Sequence, residues 1–421
     1  MKAIVVGGGI SGLTLALSLH QIGVPVRVYE AARAVTPLGV GINLQPNAVR
    51  ELTELGLGET LATLGIATEA LCFFNKFGQS VWREPRGRAA GFHWPQYSVH
   101  RGRLQVMLAE AAQARIGADN LRTGHVFQKF VERGGKVVAR FADRASGAII
   151  AEDEADLLIG ADGIHSTVRR QFYPGEGEPN FAGQILWRAA VETPPFLGGA
   201  AMIIAGHFHQ RIVAYPMAPG AAPGRRLTNW IAQMSVATEA PPREDWNRKV
   251  AKERFIDAFR GWKFDWLDFP RLVDETEEIF EFPLVDRHPV ERWSFGRVTL
   301  IGDAAHPMQP TGSQAGSQAI VDARILTAAL QAEADPVAAL AAYDRRRRPA
   351  MNEIILRNRN FGPEAAMQLA EERAPGGFKE IEDVIPRAEL ETISRSFQEA
   401  AGLDPAGLNA RPSFVTLRPQ P

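Results

Sequence analysis

The sequence predicts an α/β protein: a doubly wound, Rossmann-like domain on a parallel sheet, interrupted by an antiparallel β-sheet domain and followed by C-terminal helices. Three observations predict it. Ala3-Ile4-Val5-Val6 is a short apolar β run that ends in Gly7-Gly8-Gly9 and passes into a helical pattern from Ser11 to Gln21. Two later apolar runs end in the same manner, at Asp162-Gly163 and at Gly302-Asp303, each with a carboxylate at the strand's carboxyl end. Between those two ends, residues 181 to 236 carry strand patterns in succession with no helix to return the chain, which calls for antiparallel pairing.

Length and composition bound the answer. A chain of 421 residues exceeds one ordinary core, so two domains, or one large domain with an insertion, is expected. With 47 basic and 48 acidic residues the net charge is −1, and nothing points to a nucleic-acid or membrane-surface partner. The single Cys72 excludes a disulfide framework within the chain and any multi-cysteine metal site, and fits a cytoplasmic setting. Ala3 to Val26 carries no charged residue, and Lys2 precedes it like the start of a signal peptide. Its glycines, its change from strand to helix period and the absence of a following small-residue cleavage site argue against membrane insertion or secretion.

In order along the chain, the first unit is G-x-G-x-x-G at Gly7, Gly9 and Gly12, between a strand and a helix, with Glu30 at the end of the next β run. This pattern predicts dinucleotide binding: Gly7 makes the tight turn, Gly9 admits a pyrophosphate, Gly12 lets helix and strand pack, and Glu30 accepts from a ribose hydroxyl. Gly39 to Asn47, with Gly41 at its centre, reads as a glycine-rich loop leading to a helix that Pro46 can start and Gly56 can stop; it is either a surface loop or a ligand contact. Residues 70 to 84 read as a hairpin, and Tyr97 to His100 as a strand before a helix starting near Gly102. Arg101 there is a phosphate partner or a solvated first-turn residue. Strands and turns fill Leu121 to Ile159, with Arg133 to Lys136 the clearest hairpin.

Farther on, Gly183 to Glu192, Ala200 to Ala205, Arg211 to Met217 and Leu227 to Val236 read as strands, and Arg243 to Phe259 as a helix. Ile279 to Val285 reads as another strand. Val298 to Ile301 is a buried strand ending at Gly302-Asp303, after which Thr311-Gly312-Ser313 is expected to open a helix. Small residues from Ala315 onward, Gly316 among them, would let a flat polar ring lie near the backbone. Pro310 and Gly312 in this loop, and Tyr215 on the Arg211 to Met217 strand, are the candidate catalytic residues. With period two, Arg211, Val213, Tyr215 and Met217 share a face suited to an aromatic ring, although an ordinary core tyrosine fits Tyr215 equally well. Asp335-Pro336 caps a helix whose Arg345 to Arg348 run is expected to be a solvated helix end, and the tail after Leu403 is expected to be poorly ordered. His207-Phe208-His209 lacks a third ligand, so no metal is expected. Ser11, Ser166 and Ser317 lack a nucleophile-elbow setting.

Taken together, Gly7-x-Gly9-x-x-Gly12 with Glu30, Arg101-x-x-Leu104, Asp162-Gly163 and Gly302-Asp303-Ala304-Ala305-His306-Pro307 resemble, in order, the motifs of the FAD-dependent aromatic hydroxylases, the single-component class A flavoprotein monooxygenases. The subgroup of phenazine- and salicylate-type hydroxylases is similar at Ser317 to Asp322. The resemblance implies that Arg101 meets the FAD phosphates, that Asp162-Gly163 serves FAD and NAD(P)H, and that Asp303 holds the ribityl chain. It also implies that NAD(P)H reduces the flavin, that O2 adds to give a C4a-hydroperoxide, and that the distal oxygen goes to an aromatic or heteroaromatic small molecule. The rival readings are a flavoprotein reductase or oxidase without oxygen insertion, and a non-enzymatic binder that keeps the fold. One departure stands out: Gln314 and Ala315 precede Gly316 where family members commonly have an earlier glycine. The expected division is an FAD-binding part at 1–180, a substrate sheet at 181–285, a second FAD-binding part at 286–365 and a C-terminal helical segment at 366–421.

Overall fold

The computed structural model describes residues 1–37, 39–236, 248–360, 364–400 and 403–416. Six strands form the first sheet, in the spatial order Ser294–Phe295, Val298–Leu300, Leu157–Gly160, Ala3–Val6, Val26–Tyr29, Leu121–Arg122. All neighbours are parallel except the first pair, a hairpin. Ala3–Val6 lies at the centre with every residue buried, as a strand covered by helices on both faces must be. The consequence for function is positional. The turns after Val6, Gly160 and Leu300 stand side by side at the carboxyl edge, so three glycine-containing turns and two carboxylates converge there.

The nucleotide turn is built from close backbone contacts. Gly7 has φ of 110°, and a Cβ on it would lie 2.3 Å from the Ala161 carbonyl oxygen; one on Gly12 would lie 2.0 Å from the Gly7 carbonyl oxygen. Only glycine allows the neighbouring strand end and the helix Ile10–Gln21 to approach that closely. On that helix packs a second, Ala315–Ala332, whose buried Arg324 donates to Glu51 and Gln21 and so ties in the helix Pro46–Glu54.

The second sheet has eight strands, in the order Lys249–Val250, Ile279–Asp286, Asn180–Thr193, Arg226–Ser235, Gln210–Pro219, Ala201–His207, Ala70–Phe74, Ser80–Pro85. It is antiparallel except where Ala201–His207 runs parallel to Ala70–Phe74, and it thereby takes up the expected 70–84 hairpin from outside the 181–285 stretch. One face of this sheet closes an aromatic core around Trp230, Phe255, Phe259 and Phe269. The other carries Leu186, Met202, Ile204, Val213, Tyr215 and Ile231.

Five local expectations fail, each for a physical reason. The expected helix from Arg243 to Phe259 lies partly outside the described residues. From Lys249 the chain is a two-residue strand and then two 3-10 turns, which let Phe255, Ile256 and Phe259 all enter the aromatic core. Gly41, placed in a loop by the sequence, begins the strand Gly41–Leu44, because it pairs with His100 at the end of Gln96–His100. Thr311 does not open the long helix. Thr311–Ser313 is a separate 3-10 turn in which Gly312 (φ 69°) and Ser313 (φ 55°) are left-handed, and the helix starts at Ala315. The arginine run lies in the middle of the helix Pro336–Arg359, where Arg347 is buried and bonded to Asp322 rather than solvated. Finally, the tail is ordered as far as it is described, residues 417–421 lying outside the described residues: Pro405–Ala410 is a helix, Leu403 and Leu408 pack on Phe92, and Arg50 donates to the Leu408 and Arg411 carbonyls.

Candidate active site

A crevice of about 330 Å³ runs between the carboxyl edge of the parallel sheet and the apolar face of the eight-stranded sheet. Of the cofactor residues expected from the sequence, Gly9, Gly41, Arg101, Gly163, Asp303 and Gly316 line it. So do the three candidate catalytic residues Pro310, Gly312 and Tyr215. Gly7, Gly12 and Gly302 lie behind the lining, as parts of the turns that shape it.

Glu30 and Asp162 also lie outside the lining. Each Glu30 carboxylate oxygen accepts one backbone N–H, from Gly8 at 2.6 Å and Ala32 at 2.7 Å, which leaves lone pairs for a further donor. Asp162 caps the helix Thr167–Phe172 by accepting from the Thr167 N–H at 2.7 Å and the Val168 N–H at 3.1 Å. Burial pushes its carboxyl up, against the pull of Ser166 and these N–H groups. In this conformation its side chain therefore serves the fold, while the neighbouring Gly163 backbone reaches the crevice.

Asp303 is different. Its carboxylate is open to solvent through the crevice and has no hydrogen-bond partner among the described residues. Enclosure by protein on its other sides pushes its pKa up, offset in part by His306 and Arg101. Arg101, at the first position of the helix Arg101–Ile116, likewise offers its guanidinium to the crevice without a protein partner among the described residues. An acceptor and a cation left open along a glycine-lined cleft, with nothing within 4 Å of a Cβ on Gly9 or Gly163, fit the ribityl and pyrophosphate parts of FAD.

The other half of the crevice is apolar: Leu186, Met202, Ile204, Val213 and Ile231 project from the eight-stranded sheet. Tyr215 joins it at the seam. A Cβ on Gly41 would fall 2.6 Å from the Tyr215 ring, the Gly41 N–H donates to Asn229 at 2.8 Å, and Arg188 Nη2 donates to the Gly41 carbonyl at 2.9 Å. Glycine at 41 is what allows the two sheets to meet. Tyr215 is buried, and its phenol is pushed up to about 12, burial outweighing the nearby Arg188. It is thus at once part of the apolar cluster of its sheet and part of the crevice wall, and the expected face of Arg211, Val213 and Tyr215 does line the crevice; Met217 lies beyond it.

Among the lining residues not singled out from the sequence are Arg188 and Glu364. Arg188 interrupts an apolar strand at an inward position, and burial pushes its pKa down, which Tyr215 partly offsets. A cation among inward apolar positions was the available signal. Glu364, which pairs with Arg211, gave none, because its partner lies far away in sequence.

A doubly wound sheet with a glycine cleft, an open carboxylate and an apolar cover sheet is the arrangement of a flavin-binding protein. Comparison with known proteins agrees. The FAD binding domain family matches residues 1–358. A phenazine 1,6-dicarboxylic acid hydroxylase from Lysobacter antibioticus is 42% identical over 85% of this chain and 89% of its own length. A 3-hydroxybenzoate 6-hydroxylase from Klebsiella oxytoca is 30% identical over 86% of this chain and 88% of its own. Among solved structures, Klebsiella pneumoniae HpxO with FAD and uric acid superposes with a TM-score of 0.74 at 26% identity, covering 93% of this chain and 96% of that one. The chain belongs to the FAD-dependent aromatic hydroxylases, flavoprotein monooxygenases that use NAD(P)H and O2. No helix among the described residues is long and apolar enough to cross a membrane.

When bound, FAD would supply the redox and oxygen chemistry; the residues that line the crevice would hold it, and the apolar cover sheet would keep water out. Asp303→Ala removes a carboxylate that lines the crevice with no hydrogen-bond partner among the described residues. Its loss is expected to raise the Kd for FAD roughly ten- to a hundredfold, the worth of a charge-assisted hydrogen bond, in a titration of the apoprotein. Unchanged affinity would reduce Asp303 to a turn residue.

Proposed function

We propose that the protein hydroxylates a planar aromatic or heteroaromatic carboxylic acid, and that Arg188 receives the carboxylate. The observation that carries this is a half-buried guanidinium on an otherwise apolar wall. Its Nη2 bonds the Gly41 carbonyl, its Nε has no partner, and no acidic side chain is paired with it among the described residues. A desolvated cation of this kind favours an anionic ligand, and the flanking apolar side chains favour a flat ring. The relative named above for a hydroxybenzoate supports the same substrate class, and the one named for a phenazine dicarboxylic acid supports its carboxylated aromatic ring, not the number of carboxylates.

In this reading Gly9, Gly163 and Arg101 face the pyrophosphate, Glu30 a ribose, Asp303 the ribityl chain, and Gly41 and Gly316 the ring system. Pro310 and Gly312 shape the loop beside the reacting ring, and Tyr215 orients the substrate and excludes water. The reading keeps 1–180 and 286–365 as the FAD-binding parts and 181–285 as the substrate sheet, with the 70–85 hairpin joined to it and the described part of 366–421 as a helical segment packed against these. A buried, unpaired Cys72 supports a cytoplasmic setting.

The test is Arg188→Met. With FAD content unchanged, KM for the aromatic acid should rise about 30- to 100-fold, in line with a buried hydrogen bond between charged groups. The corresponding uncharged amide should be turned over no worse than by wild type. An equal loss for acid and amide would assign Arg188 to holding Gly41 rather than substrate.

A further inference from the structure

Arg188 shares this wall with a second guanidinium, that of Arg211. Arg188 stands opposite Ile231, which stands opposite Val213, and Arg211 lies two residues from Val213 on the same face. Two strand spacings and two residue rises put their Cα atoms about 12 Å apart, which suits a molecule of two or three fused rings with an acidic group at each end. The second cation, however, is occupied. Arg211 donates to the Glu364 carboxylate and, through Nε, to Gln233 Oε1 at 3.1 Å, and both members of the ion pair are almost fully buried.

Glu364 comes from outside the stretch matched by the FAD-binding family. It immediately precedes the helix Ala365–Arg373, whose Ala366, Met367 and Ala370 are seated on the apolar cluster that includes Met202 and Ile204. The carboxylate is therefore held at the end of the substrate wall by a docked helix, not by a solvated side chain.

We propose that Glu364 is a specificity-determining residue: by occupying Arg211 it stands where a second substrate carboxylate would bind, so that the protein selects planar aromatic monocarboxylates over dicarboxylates of the same ring. The proposal rests on the reading of Arg188 as the carboxylate receptor. A diacid anchored at Arg188 would bring its other carboxylate against Glu364 in a site of low dielectric. Breaking the Arg211 pair to make room would leave Glu364 buried without its partner. Rejection by a resident like charge is the repulsive half of specificity.

The test measures equilibrium binding of 2-naphthoate and naphthalene-2,6-dicarboxylate to the FAD-loaded protein by calorimetry, with Tm recorded for each variant. Wild type should prefer the monoacid by at least about tenfold, and Glu364→Gln, which frees Arg211, should reverse that preference. The neutral double variant Arg211→Gln/Glu364→Gln should bind the two acids about equally, and it decides the matter if the single variant does not fold. Wild type binding both acids alike, or variants that keep the wild-type ratio, would overturn the proposal while leaving Arg188 as receptor. Binding of neither acid by wild type would remove the aromatic-acid reading and this proposal together.

Discussion

Gly9→Leu is expected to give a folded protein without flavin. Gly9 precedes the Ile10–Gln21 helix with φ of −78° and ψ of −175°, a backbone that any residue adopts, and a Cβ there meets nothing within 4 Å. The leucine side chain then projects into the crevice, where overlap with a diphosphate would cost several kcal/mol, enough to raise the Kd for FAD by at least about a hundredfold. Gly7→Ala and Gly12→Ala are the contrast. Their Cβ atoms would collide with the Ala161 and Gly7 carbonyl oxygens, so these variants should lose stability itself. The measurement is flavin absorbance per mole of protein, beside far-ultraviolet circular dichroism and Tm. Normal flavin content in Gly9→Leu would move the pyrophosphate away from this turn.

That contrast also marks how far the sequence could be read. Tight turns at strand ends are local: Gly7, Gly12, Asp162 and Asp303 announce themselves because glycine and aspartate are required where a buried strand stops at a ligand edge. Positions set by distant partners are silent. The arginine run looked solvated because the carboxylate that buries Arg347 is Asp322, on another helix. The start of the Ala315 helix was misplaced because Ser313 adopts a left-handed conformation that its residue type does not signal. Tyr215 was legible as an inward residue by period, but not as the neighbour of Gly41, since that contact joins two sheets. Arg188 leaves a trace, a cation at an inward position of an apolar strand, but Glu364 reaches the crevice only through its pairing with the distant Arg211, and local pattern carries no record of that.

Asp322→Asn is expected to be among the most destabilising single changes in the chain, and to alter the acid limb of the stability curve. Asp322 is fully buried in the helix Ala315–Ala332. Its Oδ2 accepts from the Gly302 N–H at 3.0 Å and contacts His306 Nε2, and its Oδ1 accepts from Arg347 Nε at 2.8 Å. One carboxylate thus ties the Gly302-Asp303 turn to two helices. Burial alone would push its pKa up, but His306 and Arg347 outweigh that and hold it at about 2. Removing the charge strands Arg347 in the interior, for which about 3–5 kcal/mol is expected. The sign with pH follows from the depressed pKa: the stabilisation is fully present above the unfolded value near 4 and is lost as pH falls toward about 2, amounting to roughly 2–3 kcal/mol from the shift itself. Asp153 and Asp156 are also depressed and steepen the same limb, so the informative quantity is the difference between wild type and variant. Urea unfolding of the two proteins at a series of pH values should show their stability gap narrowing between about pH 4 and pH 2. A gap under about 1 kcal/mol at neutral pH, or one that does not narrow in acid, would mean that Asp322 does not hold the turn by its charge.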